Sequence, residues 1–264
     1  MNSTVPVIPF VKASACGNDF LIIDGMHAPA DLAMLSRRIC DRHQGVGADG
    51  VEWIFPAKDA DVHARLFNAD GSEAELSGNG TRCVAAYLCS QHPREKVTIR
   101  TGAGLKVCTL TSRADTQYEF EIAMGEPQVS NELAINLASR EVRGIPVSMG
   151  NPHYVIFVPQ FAPDWQAEAA EVGRSSAFNQ GINVELVCLL DKGNIDVRLF
   201  ERGVGETQSS GTGSCAAAVA AIVAGKAESP LRVHAPGGTQ TVRWEQQVLL
   251  RGTARLICSG EFFV

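Results

Sequence analysis

The chain has 264 residues, of which 45% are hydrophobic and 20% are charged. This composition is that of a globular protein and excludes a largely disordered chain. The net charge of −6 argues against nucleic acid or an anionic membrane surface as the main partner.

Eight cysteines stand at scattered positions, without a CxxC pair and without a histidine at metal-ligand spacing. In a chain whose first residues lack the features of a secretion signal, such cysteines are most often reduced and buried. The most apolar run, 216–225, is too short to span a bilayer. We therefore expect a cytoplasmic protein with no metal site and no membrane contact.

Short β-rich runs bounded by Gly, Asp and Pro predict strands through the first half of the chain. In order they are FLIID (20–24), GVEWIF (50–55), DVHARLF (61–67), KVTIR (96–100) and LKVCTL (105–110). A helix is predicted from Asp31 to Arg42, because this segment has an acidic start and a basic end. A second, apolar helix follows Ser77 in SGNGTRCVAAYLCSQ.

The second half follows the same order. Its predicted strands are HYVIFV (153–158), NVELVCLL (183–190), DVRLF (196–200), LRVHA (231–235) and QVLLR (247–251). A helix is predicted from Trp165 to Ser175, and an Ala-rich helix follows Ser210 in SGTGSCAAAVAAIVAGKA. Each half is therefore predicted to form a strand-rich, barrel-like layer around one buried helix.

An internal repeat relates the two halves. RLFNADGSEAELSGNG starts at Arg65 and RLFERGVGETQSSGTG at Arg198, which is 133 residues later. The same offset places GNDF (17–20) on GNPH (150–153) and Val51-Glu52 on Val184-Glu185. A single offset over the whole chain predicts an α+β fold of two pseudo-symmetric halves, 1–130 and 131–264. The last strand of the second half is expected to cross back to the first half.

Each copy of the repeat ends in Ser-Gly-x-Gly directly before the apolar helix. The first N–H groups of a helix have no internal partner and, with the helix dipole, form a site for a carboxylate or phosphate. The simpler interpretation is that Ser77 and Ser210 are N-caps and the glycines form turns. Two copies related by a pseudo-dyad favour a binding function, since they are expected to face each other across one cleft.

Matched groups on opposite sides of a carbon suit a racemase or epimerase, which removes a proton from one face and returns one to the other. The thiol of a cysteine at a helix N-terminus suits this role, because its pKa is lowered there. A serine hydroxyl is a far weaker acid, and no histidine stands next to either copy in the sequence.

The motifs together resemble those of the diaminopimelate epimerase family over essentially the whole chain. They are CGNDF (16–20), RHQGVGADG (42–50), FNADGSEAELSGNGTRC (67–83), GNPH (150–153) and ERGVGETQSSGTGSCAAA (201–218). The resemblance implies a PLP-independent, cofactor-free isomerase that interconverts LL- and meso-diaminopimelate in lysine and peptidoglycan biosynthesis. It also implies two β-rich halves around central helices, a substrate cleft between them and a homodimer.

The resemblance assigns site residues but exposes two departures. The family's two catalytic cysteines correspond to Ser77 and Ser210, while Cys83 and Cys215 fall inside the helices. The residues implied to bind the diamino acid substrate are Asn18, Asn68, Gly78, Asn79, Asn151, Asn183, Glu201, Arg202, Gly211 and Thr212. Gly50 stands where some members have a glutamine that contacts substrate.

Three functions fit this pattern. The first is an epimerase scaffold that is inactive or very slow because hydroxyls replace its thiols, through deliberate substitution or in a natural lineage. The second is a racemase or isomerase of another amino acid with a different base, for which Glu73 and Glu206, close to the motifs, are the candidate carboxylates. The third is a non-catalytic amino-acid-binding protein.

Overall fold

The computed structural model describes residues 6–138 and 140–264, which divide into two compact units. The first unit runs to Ile122 and includes the C-terminal residues Gly252–Val264. The second comprises Ala123–Arg251. Within the described residues, no helix is both long and apolar enough to cross a membrane.

The elements of the first unit include all the strands and helices predicted there. They are β1 (Val7–Ala15), β2 (Asn18–Asp24), a 3-10 turn (Gly25–His27), α1 (Leu32–Cys40), β3 (Gly50–Phe55), β4 (Val62–Asn68), β5 (Glu73–Ala74), α2 (Gly78–Gln91), β6 (Lys96–Thr101), β7 (Gly104–Ala114) and β8 (Gln117–Gly125). The helix predicted from Asp31 begins one residue later, because the Asp31 side chain accepts a hydrogen bond from the Met34 N–H and acts as the N-cap.

The second unit has a similar order of elements. They are β9 (Gln128–Val129), β10 (Leu133–Asn136), β11 (Glu141–Ser148), β12 (Pro152–Phe157), α3 (Trp165–Gly173), β13 (Asn183–Asp191), β14 (Asn194–Glu201), β15 (Gly205–Thr207), α4 (Gly211–Val223), β16 (Leu231–Ala235), β17 (Gly238–Trp244) and β18 (Val248–Phe263), whose C-terminal part belongs to the first unit. The helices α3 and α4 begin 133 residues after α1 and α2, so the repeat extends to the start of each helix.

Strand pairing in the first unit closes a ring around α2. The order is β1-β2-β3-β4-β6-β7-β8-β18, and β18 pairs with β1 to complete it. Helix α2 contacts strands on several sides of this ring, and its Cys83, Val84, Ala85 and Ala86 are fully buried. Small side chains at these positions allow the strands to approach the helix closely.

The alternation of side chains along β3 decides which residues face the central helix. Helix α1 packs on the outer face of the sheet, where Val51 and Trp53 join its core cluster and Trp53 Nε1 donates to Ser36 Oγ at 3.0 Å. Residue 52 lies between them and therefore points to the opposite face, toward α2.

The second unit also places strands around a central helix, with a second helix on the outer face. Its strands pair in the order β9-β11-β12-β13-β14-β16-β17-β18, and α4 contacts β11, β12, β13, β14, β16 and β17. Helix α3 packs with Val184 and Leu186 of β13 in a separate core cluster, so residue 185 faces α4.

Candidate active site

Both predicted serine positions lie at the start of a central helix. Ser77 is the N-cap of α2, and its Oγ accepts a hydrogen bond from the Gly80 N–H at 3.1 Å. Ser210 caps α4 in the same way, accepting from the Gly213 N–H at 3.2 Å. The N-cap interpretation is thus confirmed, and each half-buried hydroxyl lies at a helix N-terminus, where anions bind favourably.

In the first unit, two of the predicted binding asparagines contact each other. Asn79, the second residue of α2, donates from Nδ2 to Asn18 Oδ1 at 2.7 Å, and Asn18 Nδ2 donates to Asp49 Oδ2 at 3.0 Å. The buried guanidinium of Arg82 donates to Asn79 Oδ1 from within the helix. These bonds join the β1–β2 turn to the start of α2 and fix the orientation of both amides.

The second unit has the equivalent contact with different residues. Asn151 Nδ2 donates to Thr212 Oγ1 at 3.3 Å, which matches the Asn18–Asn79 pair under the repeat. Asn151 Oδ1 lies 3.0 Å from His153 Nε2, and His153 Nδ1 lies 2.6 Å from Glu185 Oε1. The start of α4 therefore lies beside a buried histidine that is paired with a buried carboxyl group. The first unit has no such pair, because the repeat places Phe20 at the position of His153.

Two buried glutamates, Glu52 and Glu185, were missed as site residues by the sequence predictions. A Cβ atom added at Gly80 would overlap Glu52 Oε1, and one added at Gly213 would lie 2.9 Å from Glu185 Oε1. Each carboxyl therefore contacts the third residue of a central helix, whose N–H bonds the capping serine. Their signal was the Val-Glu pair repeated at the common offset, on strands with otherwise apolar neighbours.

Burial shifts the proton affinity of both carboxyls in the same direction. Burial raises the pKa of Glu52 to about 8. Burial likewise raises the pKa of Glu185, with a further rise from the neighbouring Glu201, while His153 opposes the rise. Both groups therefore hold a proton more strongly than an exposed glutamate does.

The two glutamates singled out from the sequence as alternative bases are not the carboxyls nearest to the serine helices. Glu73 is exposed and forms a two-point ion pair with Arg65, at 2.7 and 2.8 Å. Glu206 is exposed and accepts from Gln166 Nε2 at 3.0 Å. Both lie close to the motifs in the sequence, but β3 and β13 bring Glu52 and Glu185, from more distant parts of the sequence, against the starts of the helices.

The remaining predicted binding residues lie around the same helix starts or hold neighbouring loops. Asn183 is buried; its Nδ2 donates to the Pro152 carbonyl at 2.9 Å, and its Oδ1 accepts from the Arg202 N–H at 2.9 Å. Its side chain thus positions the backbone at Arg202. The exposed Arg202 side chain donates to the Gln180 carbonyl at 3.0 Å, and Glu201 ends β14.

Asn68 and Gly50 are paired across β4 and β3. Asn68 Nδ2 donates to Ser72 Oγ at 3.0 Å, which orders the turn after β4. A Cβ atom at Gly50 would lie 2.7 Å from the Phe67 carbonyl oxygen. A glutamine, present at this position in some members, therefore requires a shift of the strand here.

The cysteines closest to the serines in the sequence lie inside the central helices. Cys83 and Cys215 are fully buried within α2 and α4, as predicted, and burial raises the pKa of Cys83. Within residues 6–138 and 140–264, no group of three His, Cys, Asp or Glu side chains is arranged to hold a metal ion.

Comparison with known proteins places this chain in a family. A family model described as diaminopimelate epimerase matches residues 10–130 and 145–257. The chain belongs to the diaminopimelate epimerase family. Diaminopimelate epimerases from Pelotomaculum thermopropionicum and Elusimicrobium minutum are 36% and 35% identical to it, each over 96% of this chain and 98% of the relative.

Solved structures share the fold at low identity. A phenazine biosynthesis protein of the PhzF family from Bacillus anthracis has a TM-score of 0.74 and 16% identity, and the match covers 98% of this chain and 100% of that chain. A hydroxyproline epimerase from Agrobacterium vitis has a TM-score of 0.70 and 16% identity, covering 97% and 92%. The predicted α+β fold of the diaminopimelate epimerase family is therefore confirmed.

Proposed function

We propose that this protein is a PLP-independent epimerase that interconverts LL- and meso-diaminopimelate by two-base proton transfer. The observation that carries the proposal is the pair of serine-capped central helices at equivalent positions, in a chain about one third identical to diaminopimelate epimerases. Each unit supplies one hydroxyl group where the resemblance places a catalytic thiol.

The helix starts account for substrate binding and activation. The N–H groups around Gly78-Asn79 and Gly211-Thr212 bind the carboxylate next to the reacting carbon, because helix N-termini favour negative charge. Their partial positive charge also stabilises the carbanion formed when the α-proton leaves. One serine oxygen takes the α-proton as its own hydroxyl proton leaves, and the other hydroxyl donates a different proton on the opposite face, which inverts the centre.

Other predicted binding residues hold the substrate's remaining charged groups. Asn18 and Asn151 present amide groups beside the two helix starts. The Arg202 guanidinium provides a planar donor for a carboxylate, and the Glu201 carboxylate provides an acceptor for an ammonium group. Diaminopimelate carries two ammonium and two carboxylate groups, which matches these donors and acceptors.

The serines set the rate. A hydroxyl is a much weaker acid than a thiol, so each serine gives up its proton reluctantly. We therefore expect slow turnover with intact binding, and we expect the Ser77→Cys, Ser210→Cys double variant to be much faster.

Proton NMR of LL-diaminopimelate in D2O tests the proposal. Deuterium should enter the α-position quickly with the double cysteine variant and slowly with the serine protein. Binding without exchange in both proteins would instead favour the non-catalytic amino-acid-binding protein. Exchange of a different amino acid, with none of diaminopimelate in either protein, would favour a racemase of that amino acid.

The family function also suggests the biological setting. We propose that the protein works in the cytoplasm as a homodimer, in the synthesis of lysine and peptidoglycan precursors, with no cofactor. Size-exclusion chromatography with light scattering tests the dimer: a mass of twice 28.2 kDa is expected.

A further inference from the structure

Each serine-capped helix has a buried carboxyl beside its first turn. Glu52 and Glu185 are related by the repeat and are 3% and 1% exposed. Burying a carboxyl group is unfavourable unless it is paired or holds a proton. Two such groups at equivalent positions, each between apolar neighbours in its strand and beside the start of a central helix, indicate a function beyond packing.

The contact geometry links each carboxyl to a serine. Glu52 Oε1 contacts Gly80, and Glu185 Oε1 approaches Gly213; the N–H groups of these glycines bond Ser77 Oγ and Ser210 Oγ. Glu52 and Ser77 also line one small crevice beside the start of α2.

Hydrogen-bonding capacity is left over on both sides of each contact. Glu185 Oε2 is buried without a hydrogen-bond partner. Among the residues that the structure describes, none donates a hydrogen bond to the Glu52 carboxyl. Within the same residues, neither Ser77 nor Ser210 donates its hydroxyl hydrogen. In each unit the serine hydroxyl and the carboxyl therefore approach the same glycine, without a hydrogen bond between them, and each can form a further hydrogen bond.

We propose that Glu52 and Glu185 hold the protons that Ser77 and Ser210 exchange with the substrate. This inference rests on the proposed function and deepens it: it states how a hydroxyl can work where a thiol is missing. The glutamates act through the serines and need no contact with the substrate.

The step balances with protons from solvent. As Ser210 Oγ takes the α-proton, its own hydroxyl proton passes to the Glu185–His153 pair. On the other face, Ser77 Oγ gives its proton to the carbanion and receives one from the protonated Glu52 carboxyl. The pair gains a proton and Glu52 loses one, and proton exchange with solvent, or reaction in the reverse direction, restores the starting state.

The two units differ in a way that suits this exchange. His153 bonds Glu185, while the repeat places Phe20 at the position of His153 in the first unit. The Glu185–His153 pair can share a proton, whereas Glu52 alone gains or loses one. Because His153 can hold a second proton beside Glu185, the pair can accept a proton while Glu52 gives one, as proton transfer between two faces requires.

The test compares Glu52→Gln and Glu185→Gln in two backgrounds, the serine protein and the Ser77→Cys, Ser210→Cys variant. The readout is α-proton exchange of LL- and meso-diaminopimelate in D2O by NMR. In the serine background each substitution should reduce exchange about 100-fold, the usual scale of general acid–base catalysis. In the cysteine background each should change it less than about 3-fold, because a thiol at a helix N-terminus ionises without such help.

A purely structural role of the glutamates predicts equal losses in both backgrounds, and that result would overturn the inference. So would a serine protein with no exchange beside an active cysteine variant, and the chain would then be an inactive diaminopimelate epimerase scaffold. Absence of exchange in all proteins would reject the proposed function and the inference together. Glu206→Gln is the matched control, since Glu206 is exposed and bonded to Gln166, and it should leave exchange unchanged.

A second variant distinguishes unfolding caused by Glu185→Gln from loss of Glu185 as a proton carrier. If Glu185→Gln leaves His153 unpaired and unfolds the protein, the Glu185→Gln, His153→Phe double variant reproduces the Phe20 environment of the first unit. It should fold, bind diaminopimelate and lose exchange in the serine background. Retained exchange in this folded variant would contradict the role of Glu185.

Discussion

Glu185 Oε1 lies 2.6 Å from His153 Nδ1, and both side chains are 1% exposed. The first unit has the equivalent glutamate, Glu52, but Phe20 in place of the histidine. The two halves thus share a backbone framework and a buried carboxyl, and they differ in the group that pairs with it. This asymmetry affects stability as well as chemistry.

His153→Phe should destabilise the protein by about 3 kcal/mol, because it leaves a buried carboxyl without its partner. In a Glu185→Gln background the same substitution should cost clearly less. Urea unfolding of the four proteins at neutral pH gives the coupling free energy. Equal costs in the two backgrounds would show that the pair does not stabilise the fold.

Gly80→Ala should destabilise the protein by about 2 kcal/mol, since the new Cβ overlaps the Glu52 carboxyl. Gly78→Ala, two residues earlier in the same helix, meets no atom within 4 Å and should change stability by less than about 1 kcal/mol. Thermal unfolding checks both. Adding Glu52→Ala to Gly80→Ala should recover part of the loss, and failure to do so would place the strain elsewhere.

Ser77→Ala and Ser210→Ala should each cost about 1 kcal/mol, because each removes the acceptor for a first-turn N–H group. Ser→Thr at either position keeps the acceptor and should cost less. Denaturant midpoints of the four single variants measure this. An alanine variant as stable as the parent would mean that water satisfies the freed N–H group equally well.

The raised pKa of Glu52 predicts a pH dependence of stability. Its pKa of about 8 in the folded protein exceeds the usual value of 4.5, so between these pH values the folded state binds more protons than the unfolded state. The contribution of Glu52 to stability is therefore complete below pH 4.5 and is lost as pH rises toward 8. Glu52→Gln should remove this loss.

The measurement is the unfolding free energy of both proteins from pH 5 to pH 8. The difference between parent and Glu52→Gln should grow in favour of the variant as pH rises. Carboxylates with lowered pKa values, such as Asp61 and Asp70, titrate below this window and do not obscure it. A difference that stays constant with pH would show that Glu52 does not titrate in this range.

The internal repeat made much of this structure predictable. It located both central helices, both capping serines and the equivalent Asn18 and Asn151, because turn glycines and helix caps are local signals. Strands such as β1 and β8 were not predicted, since pairing with β18 stabilises them more than their own composition does.

The two buried glutamates show why the rest was missed. A glutamate in a strand is ordinarily expected at the solvent face, and only the packing of α1 and α3 on the outer faces shows that Glu52 and Glu185 point inward. His153 was likewise separate from Ser210 in the sequence. Parallel pairing of β12 with β13 places it directly opposite Asn183, two residues before Glu185.

The most direct test of proton transfer on both faces of the α-carbon compares single cysteine variants with the double variant. Ser77→Cys, Ser210→Cys and the double variant are each incubated with LL-diaminopimelate in D2O, and both deuterium incorporation and conversion to the meso form are followed. Rapid inversion is expected only in the double variant, with each single variant much slower. Inversion by one single variant as fast as by the double variant would contradict the assignment of one proton carrier to each half.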